Sequence, residues 1–195
     1  MSGTQAIDWE SRYRAGTTGW ERPGLNPAFL AWREAGALAP CRILVPGGGR
    51  SVEPVALADA GFDITVVDAA ASAVAAQRAR LERLNVQARI EQADLFEWEP
   101  YAPFDAIYDQ TCLCALPPPM LPEYAARLRR WLRPGGSLFV LFMQTGVAGG
   151  PPFHCDMDDM RELFAAPHWE WPTELPAVVA HSPGRVEQPA MLWSR

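Results

Sequence analysis

The sequence predicts an α/β protein whose central, mostly parallel sheet is covered by helices on both faces. Short apolar runs alternate with helix-like stretches along most of the chain, an order typical of βα units. Residues 137–142 form a near-continuous apolar run, as expected of a strand buried on both faces. These observations predict a three-layer, Rossmann-like fold, in which ligands bind beyond the carboxyl ends of the strands.

The first half of the chain has the clearest alternation of elements. Apolar runs predict strands at residues 42–45, 63–67 and 88–91. The stretches between them predict helices at about 52–60 and 72–84, and the second is rich in alanine, the strongest helix former.

The second half continues the pattern as far as residue 142. A strand is predicted at 104–109, followed by a helix at 122–132 and the apolar strand at 137–142. The segment 133–136, Arg-Pro-Gly-Gly, is predicted to end that helix. No strand is predicted after residue 142.

A run of three glycines, Gly47 to Gly49, follows the first predicted strand, and Asp68 follows the second. Glycine allows the backbone to turn sharply and to approach a ligand closely. Asp68 lies 19 positions after Gly49, close to the ~20 residues that separate a glycine turn from a ribose-binding acid in nucleotide folds. The spacing predicts a site for an adenosine-like ligand.

The same turn lacks the features of a phosphate site. Val52 stands where the last glycine of a dinucleotide-binding pattern would fall. Glu53 and Asp59 add negative charge near the helix start, which disfavours a pyrophosphate there. These residues favour a cationic, phosphate-free ligand, S-adenosylmethionine, over the alternative NAD.

The composition is that of an ordinary globular protein, with 195 residues, 49% hydrophobic and 21% charged. We expect one domain over residues 1–195, a cytoplasmic location and no membrane segment. The net charge of −6 argues against nucleic-acid binding, despite arginines between residues 127 and 133. A monomer is expected, with a dimer as the alternative.

The cysteines do not form a metal-binding pattern. Cys112 and Cys114 lie in an apolar run, and their spacing differs from that of structural zinc sites. Buried cysteines in such runs usually fill the core. We therefore expect no metal.

Five motifs occur in order along nearly the whole chain. They span residues 9–20 (Trp-x-x-x-Tyr-x-x-Gly-x-Thr-x-Trp), 45–50, 108–118, 133–136 and 149–153. Their order resembles class I S-adenosylmethionine-dependent methyltransferases and, more narrowly, the thiopurine methyltransferase superfamily, which includes halide and thiol methyltransferases. The resemblance implies a class I methyltransferase fold and a small-molecule methyl acceptor.

The resemblance also implies a set of cofactor-binding residues. Asp68 would bind the ribose hydroxyls, residues 94–96 would frame the adenine, and Asp109 would lie near the amino group of the methionine part. The implied set is Trp9, Tyr13, Trp20, Gly47, Gly49, Asp68, Ala69, Asp94, Leu95, Phe96 and Asp109.

Residues 1–24 would form an N-terminal lid over the cofactor. Trp9, Tyr13 and Trp20 would close over the sulfonium, whose positive charge an aromatic face stabilises. The segment has little to pack against when the site is empty, so we expect it to be ordered only with cofactor present.

The acceptor side departs from the family pattern. Gln110 stands where human-type thiopurine enzymes place an arginine, and Phe153 replaces a tyrosine of some halide and thiol methyltransferases. Gln110, Phe153 and His154 are weak catalytic candidates, His154 as a base. The side chains of Cys112, Phe153 and Met143 suggest an apolar acceptor wall. These residues favour a small soft nucleophile (a thiol, halide or chalcogen oxyanion), whose methylation needs positioning rather than a strong base.

Two alternatives remain open at this point. Methylation of oxygen or nitrogen would require a base to take a proton. A cofactor-binding protein without turnover is suggested by three further departures from the family pattern, at Ser51, Pro119 and Leu121.

Overall fold

The computed structural model describes residues 7–182 and 184–195. Its helices are α1 (Trp9–Ala15), α2 (Pro27–Glu34), α3 (Glu53–Asp59), α4 (Ala71–Leu84), α5 (Leu121–Trp131) and α6 (Met157–Leu163). Its strands are β1 (Arg42–Pro46), β2 (Asp63–Asp68), β3 (Arg89–Gln92), β4 (Phe104–Asp109), β5 (Leu132–Gln144), β6 (Trp169–Glu170), β7 (Val179–Ser182) and β8 (Arg185–Ser194).

The strands form one sheet in the order β3-β2-β1-β4-β5-β8-β6, with β7 also paired to β8. Strands β1 to β5 are parallel, whereas β8 runs antiparallel to β5. Helices α2 and α3 contribute to the core on one face, and α5 and α6 to the core on the other. The predicted three-layer fold with a mostly parallel sheet is therefore confirmed.

Strand β5 begins earlier than predicted. The helix α5 ends at Trp131, and Leu132 already pairs with Phe104 of β4. Gly136 packs so closely against the neighbouring strand that a Cβ atom there would lie 3.1 Å from the carbonyl oxygen of Asp105. The segment 133–136 is therefore part of the strand and not only the end of the helix.

Three of the four arginines between residues 127 and 133, namely Arg127, Arg130 and Arg133, are paired with acids. Arg127 binds Glu123 and Glu99, with nitrogen–oxygen distances of 2.9 and 3.2 Å, and Arg130 also binds Glu99. These pairs explain the basic run in the sequence by intramolecular contacts. None of the helices among the described residues is both long and apolar enough to cross a bilayer.

Candidate active site

The glycine turn after β1 is shaped by its contacts as well as by its backbone. Gly47 and Gly49 have φ values of +53° and +54°, which residues with a Cβ atom rarely adopt. A Cβ at Gly47 would lie 2.8 Å from the sulfur of Cys112, and one at Gly49 would lie 2.6 Å from the hydroxyl of Tyr13. The turn therefore requires glycine at both positions.

Asp68, the last residue of β2, holds this turn from the neighbouring strand. Its carboxylate accepts hydrogen bonds from the N–H groups of Gly49 and Ala70, both at 2.8 Å. Burial raises the pKa of Asp68, and these two N–H groups partly offset the effect. Asp68 and Ala69 both line the cavity above the turn, so the carboxylate can also accept bonds from a ligand.

The loop after β3 lies beside Asp68 on the same cavity. Asp94 accepts a hydrogen bond from the N–H of Phe96 at 2.8 Å, which fixes the turn of residues 94–96. Asp94, Leu95 and Phe96 all line the cavity. The loop thus supplies a carboxylate and apolar walls, a combination suited to a flat heterocycle such as adenine.

The N-terminal segment covers the turn with three aromatic rings. Trp20 packs edge-on against Trp9 and Tyr13, with ring centroids 5.4 and 5.6 Å apart. Glu10 accepts hydrogen bonds from the backbone N–H and the hydroxyl of Ser72, which anchors α1 to α4. Trp9, Tyr13 and Trp20 line the cavity. The structure describes this segment from residue 7 onward, so residues 1–6 of the predicted lid lie outside the described residues.

Asp109 is not among the residues that line the cavity. It is fully buried and accepts hydrogen bonds from the N–H groups of Cys112 and Leu113, at 2.9 and 3.2 Å, and from the hydroxyl of Tyr124 at 2.8 Å. The side chain therefore holds the loop after β4, and a position of Asp109 near the amino group of a cofactor stays a prediction.

The three weak catalytic candidates lie in different surroundings. Gln110 lines the cavity, and its side-chain oxygen accepts a hydrogen bond from Tyr108 at 2.9 Å. Phe153 and His154 are not among the cavity-lining residues. His154 is exposed, and its Nδ1 atom accepts a hydrogen bond from the N–H of Thr145 at 3.1 Å. The structure therefore places only Gln110 of the three at the site.

The sequence analysis missed several residues of the cavity, which has a volume of about 230 Å³. Some belong to the N-terminal segment and others to the loops after β4 and β5: Glu21, Arg22, Thr111, Leu116, Pro117, Met120, Pro151 and Pro152. All but Met120 lie within the predicted lid or within the motifs 108–118 and 149–153, so the sequence marked their segments but did not single out these side chains. No cluster of His, Cys, Asp and Glu suited to a metal occurs in residues 7–182 or 184–195.

A buried polar cluster adjoins the cavity on the side of β7 and β8. Glu187 is fully buried and accepts a hydrogen bond from the side chain of Asn26 at 2.7 Å. The carboxylate oxygen that binds Asn26 also lies 3.8 Å from the guanidinium of Arg22. The other carboxylate oxygen of Glu187 lies 2.8 Å from Nδ1 of His181. The guanidinium of Arg22 also donates to the carbonyl of Ala180 at 2.7 Å, which ties the N-terminal segment to β7.

Comparisons with known proteins agree with this geometry. The family model "Thiopurine S-methyltransferase (TPMT)" matches residues 4–182. The chain belongs to the thiopurine S-methyltransferase family.

Individual relatives support the assignment. The chain is 31% identical to the probable thiol methyltransferase 2 of Arabidopsis thaliana, over 84% of this chain and 74% of that protein. It is 30% identical to a thiopurine S-methyltransferase of Vibrio cholerae, over 80% of this chain and 79% of that protein. As a member of this family, the protein is an S-adenosylmethionine-dependent methyltransferase.

A solved structure shows the same fold at lower sequence identity. The Burkholderia thailandensis 1,6-didemethyltoxoflavin-N1-methyltransferase, with bound 1,6-didemethyltoxoflavin and S-adenosylhomocysteine, superposes with a TM-score of 0.72 at 21% identity. The match covers 95% of this chain and 84% of that chain. It agrees with the class I methyltransferase fold of the family.

The residues present fit S-adenosylmethionine. The glycine turn presents backbone without side chains, Asp68 offers carboxylate oxygens for ribose hydroxyls, and the rings of Trp9, Tyr13 and Trp20 offer aromatic surface to a sulfonium. When bound, the cofactor supplies an activated methyl group on a cationic sulfur. The chain itself would bind and orient it and, by covering the cavity with the aromatic segment, exclude water.

Proposed function

We propose that this methyltransferase transfers the methyl group of S-adenosylmethionine to a small soft nucleophile, with a thiol as the foremost candidate and a halide or chalcogen oxyanion as related ones. One observation carries the proposal: part of the cavity wall beside the glycine turn consists of sulfur- and carbon-rich side chains. Cys112 lies against Gly47, and Cys114, Met143, Pro151 and Pro152 continue the same cavity. The desolvation free energy of a soft nucleophile against such a wall is small.

The thiols of this wall are not themselves competing nucleophiles. Burial raises the pKa of Cys112 well above the usual range, and the nearby charge of Asp109 adds to the effect. Burial raises the pKa of Cys114 in the same way. Both side chains therefore stay protonated at neutral pH, and the thiolate is the reactive form of cysteine.

The related proteins support the same acceptor class. The relative in Arabidopsis thaliana is named a probable thiol methyltransferase and another there a thiocyanate methyltransferase, at 31% and 29% identity. Thiocyanate carries no proton at neutral pH, and a thiol with a pKa of about 8.5 is partly ionised to the reactive thiolate at mildly alkaline pH. A strong general base is therefore not required of the protein.

Methylation of oxygen or nitrogen is the second candidate, and one residue favours it. Glu53 lines the cavity and is 1% exposed. Burial raises the pKa of its carboxyl group, although the N–H of Asn26 partly offsets this. A carboxylate with a raised pKa can act as a general base.

A methyl-transfer assay over a panel of acceptors separates these possibilities. Small thiols, iodide, thiocyanate, selenite and tellurite would be compared with a phenol and an amine, and product would be detected by mass spectrometry. We expect the soft acceptors to be methylated at least about a hundredfold faster, since general base catalysis typically contributes 10²–10⁴-fold to hard nucleophiles. Faster methylation of the phenol or amine would favour the second candidate.

The same assay tests the alternative that the protein binds the cofactor but does not catalyse methyl transfer. Gly49→Ala is the matched negative control, because its Cβ would collide with Tyr13 in the cofactor turn. Binding of S-adenosylhomocysteine with no methylation of any acceptor would contradict our proposal. The monomeric state and the cytoplasmic location also stay predictions from the sequence, which light scattering and cell fractionation would test.

A further inference from the structure

Two cationic side chains, Arg22 and Arg50, line the cavity among the described residues. The guanidinium of Arg50 lies 4.8 Å from the centroid of the Tyr13 ring and donates to the Tyr13 carbonyl at 3.4 Å. Arg50 directly follows the glycine turn, so it is held by the N-terminal segment on the cofactor side. Arg22 has different neighbours, and they place its charge elsewhere around the cavity.

The guanidinium of Arg22 lies on the side of the sheet away from the ribose position. It donates to the carbonyls of Ala180 and His181 in β7, at 2.7 and 3.4 Å. Strand β7 pairs with β8, which lies next to β5 and four positions from β2 in the order of the sheet. Neighbouring strands are about 4.8 Å apart, so β8 is roughly 19 Å from β2. Arg22 is therefore close to the end of β5 and far from Asp68.

The sulfur- and carbon-rich wall of the cavity lies near the same place. Met143 of that wall is opposite Glu187 in the pairing of β5 with β8, and residues paired in this way have Cβ atoms about 4.5–5.5 Å apart. Glu187 in turn lies 3.8 Å from Nη1 of Arg22. A small organic molecule can therefore reach both the guanidinium and the wall.

Much of the hydrogen-bonding capacity of Arg22 is unused. A guanidinium has N–H donors on each of its nitrogen atoms, but among the described residues only Nη1 of Arg22 forms hydrogen bonds. In residues 7–182 and 184–195, the buried side-chain nitrogen and oxygen atoms without a partner are Nε of Arg50 and Oε1 of Gln77. Nε and Nη2 of Arg22 are therefore accessible. Because the side chain is 14% exposed and lines the cavity, these donors can meet a ligand.

The acids near Arg22 have donors of their own. Glu187 accepts a hydrogen bond from the side chain of Asn26 at 2.7 Å and lies 2.8 Å from Nδ1 of His181. Glu53 accepts a hydrogen bond from the backbone N–H of Asn26 at 2.9 Å. The separation of 3.8 Å between Arg22 and Glu187 is longer than a hydrogen bond. Both acids attract the charge of Arg22, but neither takes its Nε and Nη2 donors.

We infer that the methyl acceptor is a thiol that also carries a carboxylate, and that Arg22 binds this carboxylate through Nε and Nη2. These two nitrogen atoms form a planar fork that matches the two oxygen atoms of a carboxylate. With the carboxylate held there, the thiol sulfur would lie against the wall that contains Cys112 and Met143. The inference rests on the proposed methylation of a soft nucleophile, and it makes Arg22 a specificity-determining residue for that reaction.

A comparison of two matched thiols tests the inference: 3-mercaptopropionate and its uncharged amide, 3-mercaptopropionamide. The kcat/KM for methylation of each thiol would be measured with the full chain and saturating S-adenosylmethionine, for wild type and for Arg22→Gln. The ratio of the two kcat/KM values should fall about tenfold or more in Arg22→Gln, as expected for the loss of a charge-assisted hydrogen bond. Any difference in ionisation between the two thiols is the same for both proteins and cancels in this comparison.

Arg50→Gln is the matched control, because it removes the other cationic side chain that lines the cavity in the described part of the chain. It should retain the wild-type ratio, whatever its effect on cofactor affinity. Arg22→Lys keeps the charge without the planar fork and should give an intermediate ratio, which covers the case of an Arg22→Gln protein that does not fold. If Arg22 served only to hold the N-terminal segment to β7, its loss would lower kcat/KM for both thiols equally.

An unchanged ratio in Arg22→Gln and Arg22→Lys would overturn the inference, as would an equal fall of the ratio in Arg50→Gln. An unchanged ratio together with a weaker calorimetric affinity for S-adenosylhomocysteine would assign Arg22 to the cofactor instead. These results leave the proposed function intact, because the uncharged thiol would still be methylated. Failure of wild type to methylate any soft acceptor would overturn the proposed function, and this inference with it.

Discussion

The end of β2 and the end of β4 lie at the same edge of the sheet, and each carries an aspartate as the last residue of its strand. At the end of β2, Asp68 is 8% exposed and lines the cavity. At the end of β4, Asp109 is 0% exposed and binds the loop that follows it. The difference comes from the next residues, since a 3₁₀ turn at Leu113–Ala115 folds back over Asp109.

This comparison separates two tasks that the same residue type performs in one site. Asp68 holds the glycine turn and lines the ligand cavity, whereas Asp109 holds the backbone of the loop that carries Cys112 and Cys114. Removing the first should affect binding, and removing the second should affect folding. The predictions below test that separation.

The largest effect should come from Asp109→Ala, which leaves two backbone N–H groups and the Tyr124 hydroxyl buried without an acceptor. Each unsatisfied donor costs about 1–3 kcal/mol, so the three together should lower the free energy of unfolding by about 3–9 kcal/mol. Urea denaturation measures it, with Tyr124→Phe as the milder control. Unchanged stability with lost S-adenosylhomocysteine binding would show that Asp109 faces the ligand.

The second prediction concerns pH. Burial raises the pKa of Asp109 to about 6, although its three donors partly offset this, whereas the unfolded value is about 3.9. Between these values the folded state holds a proton that the unfolded state releases, so stability falls as pH rises. Relative to Asp109→Asn, wild type should lose about 2 kcal/mol of unfolding free energy between pH 4 and 7.

Urea denaturation of both proteins between pH 4 and 7 tests whether the stability of wild type falls relative to Asp109→Asn as the pH rises. The other carboxylates are common to both proteins, so their contributions cancel in the difference. Parallel pH profiles for wild type and Asp109→Asn would mean that Asp109 is ionised with an ordinary pKa and is less buried than the structure shows.

The site residues at the end of β2 were predictable because they are close together in the sequence. Gly47, Gly49 and Asp68 lie within one βαβ unit, and strand β4 was predicted with its exact bounds, Phe104–Asp109. Spacing alone located Asp68 at the cavity. Spacing also located Asp109 at the sheet edge, but it could not show that Tyr124, 15 positions later, would take one of its oxygens.

The regions that were missed depend on contacts between distant parts of the chain. Strand β8 contains Glu187 and Pro189, so its sequence does not predict a buried strand. Glu187 is nevertheless fully buried, because Asn26, 161 positions away, donates a hydrogen bond to it. Arg22 reaches the cavity because β7 holds it across 158 positions. No local pattern encodes such pairs.

The third prediction is the binding counterpart of the first. Asp68→Ala removes the acceptor of the ribose hydroxyls, and S-adenosylhomocysteine should bind about a hundredfold more weakly, equivalent to about 3 kcal/mol. Calorimetric titration measures the change. Asp63→Ala is the control, because Asp63 begins the same strand with a side chain that is 72% exposed. Equal affinity of wild type and Asp68→Ala would remove the ribose assignment.

The fourth prediction extends the comparison to the N-terminal segment, which covers the β2 side. Tyr13, Trp9 and Trp20 pack with Ala70 and Ala73 of that side. We expect amide hydrogen exchange of residues 9–20 to slow about tenfold or more when S-adenosylhomocysteine binds, corresponding to about 1.4 kcal/mol. Amides of α2 provide the internal reference. Equal protection without ligand would show that the segment is a fixed part of the core.

The smallest effect should come from His154→Ala, on the β4 side. Phe153, the preceding residue, donates its N–H to the carbonyl of Cys114 at 2.7 Å, so His154 is tied close to the acceptor wall. Its ring is nevertheless exposed, and Nδ1, which a base would use, already accepts from Thr145. Turnover should stay within about tenfold of wild type, whereas loss of a true base typically costs 10²–10⁴-fold. Steady-state kinetics with a thiol acceptor decides the matter. A thousandfold loss with intact cofactor binding would make His154 the base and would favour an alcohol, phenol or amine as acceptor.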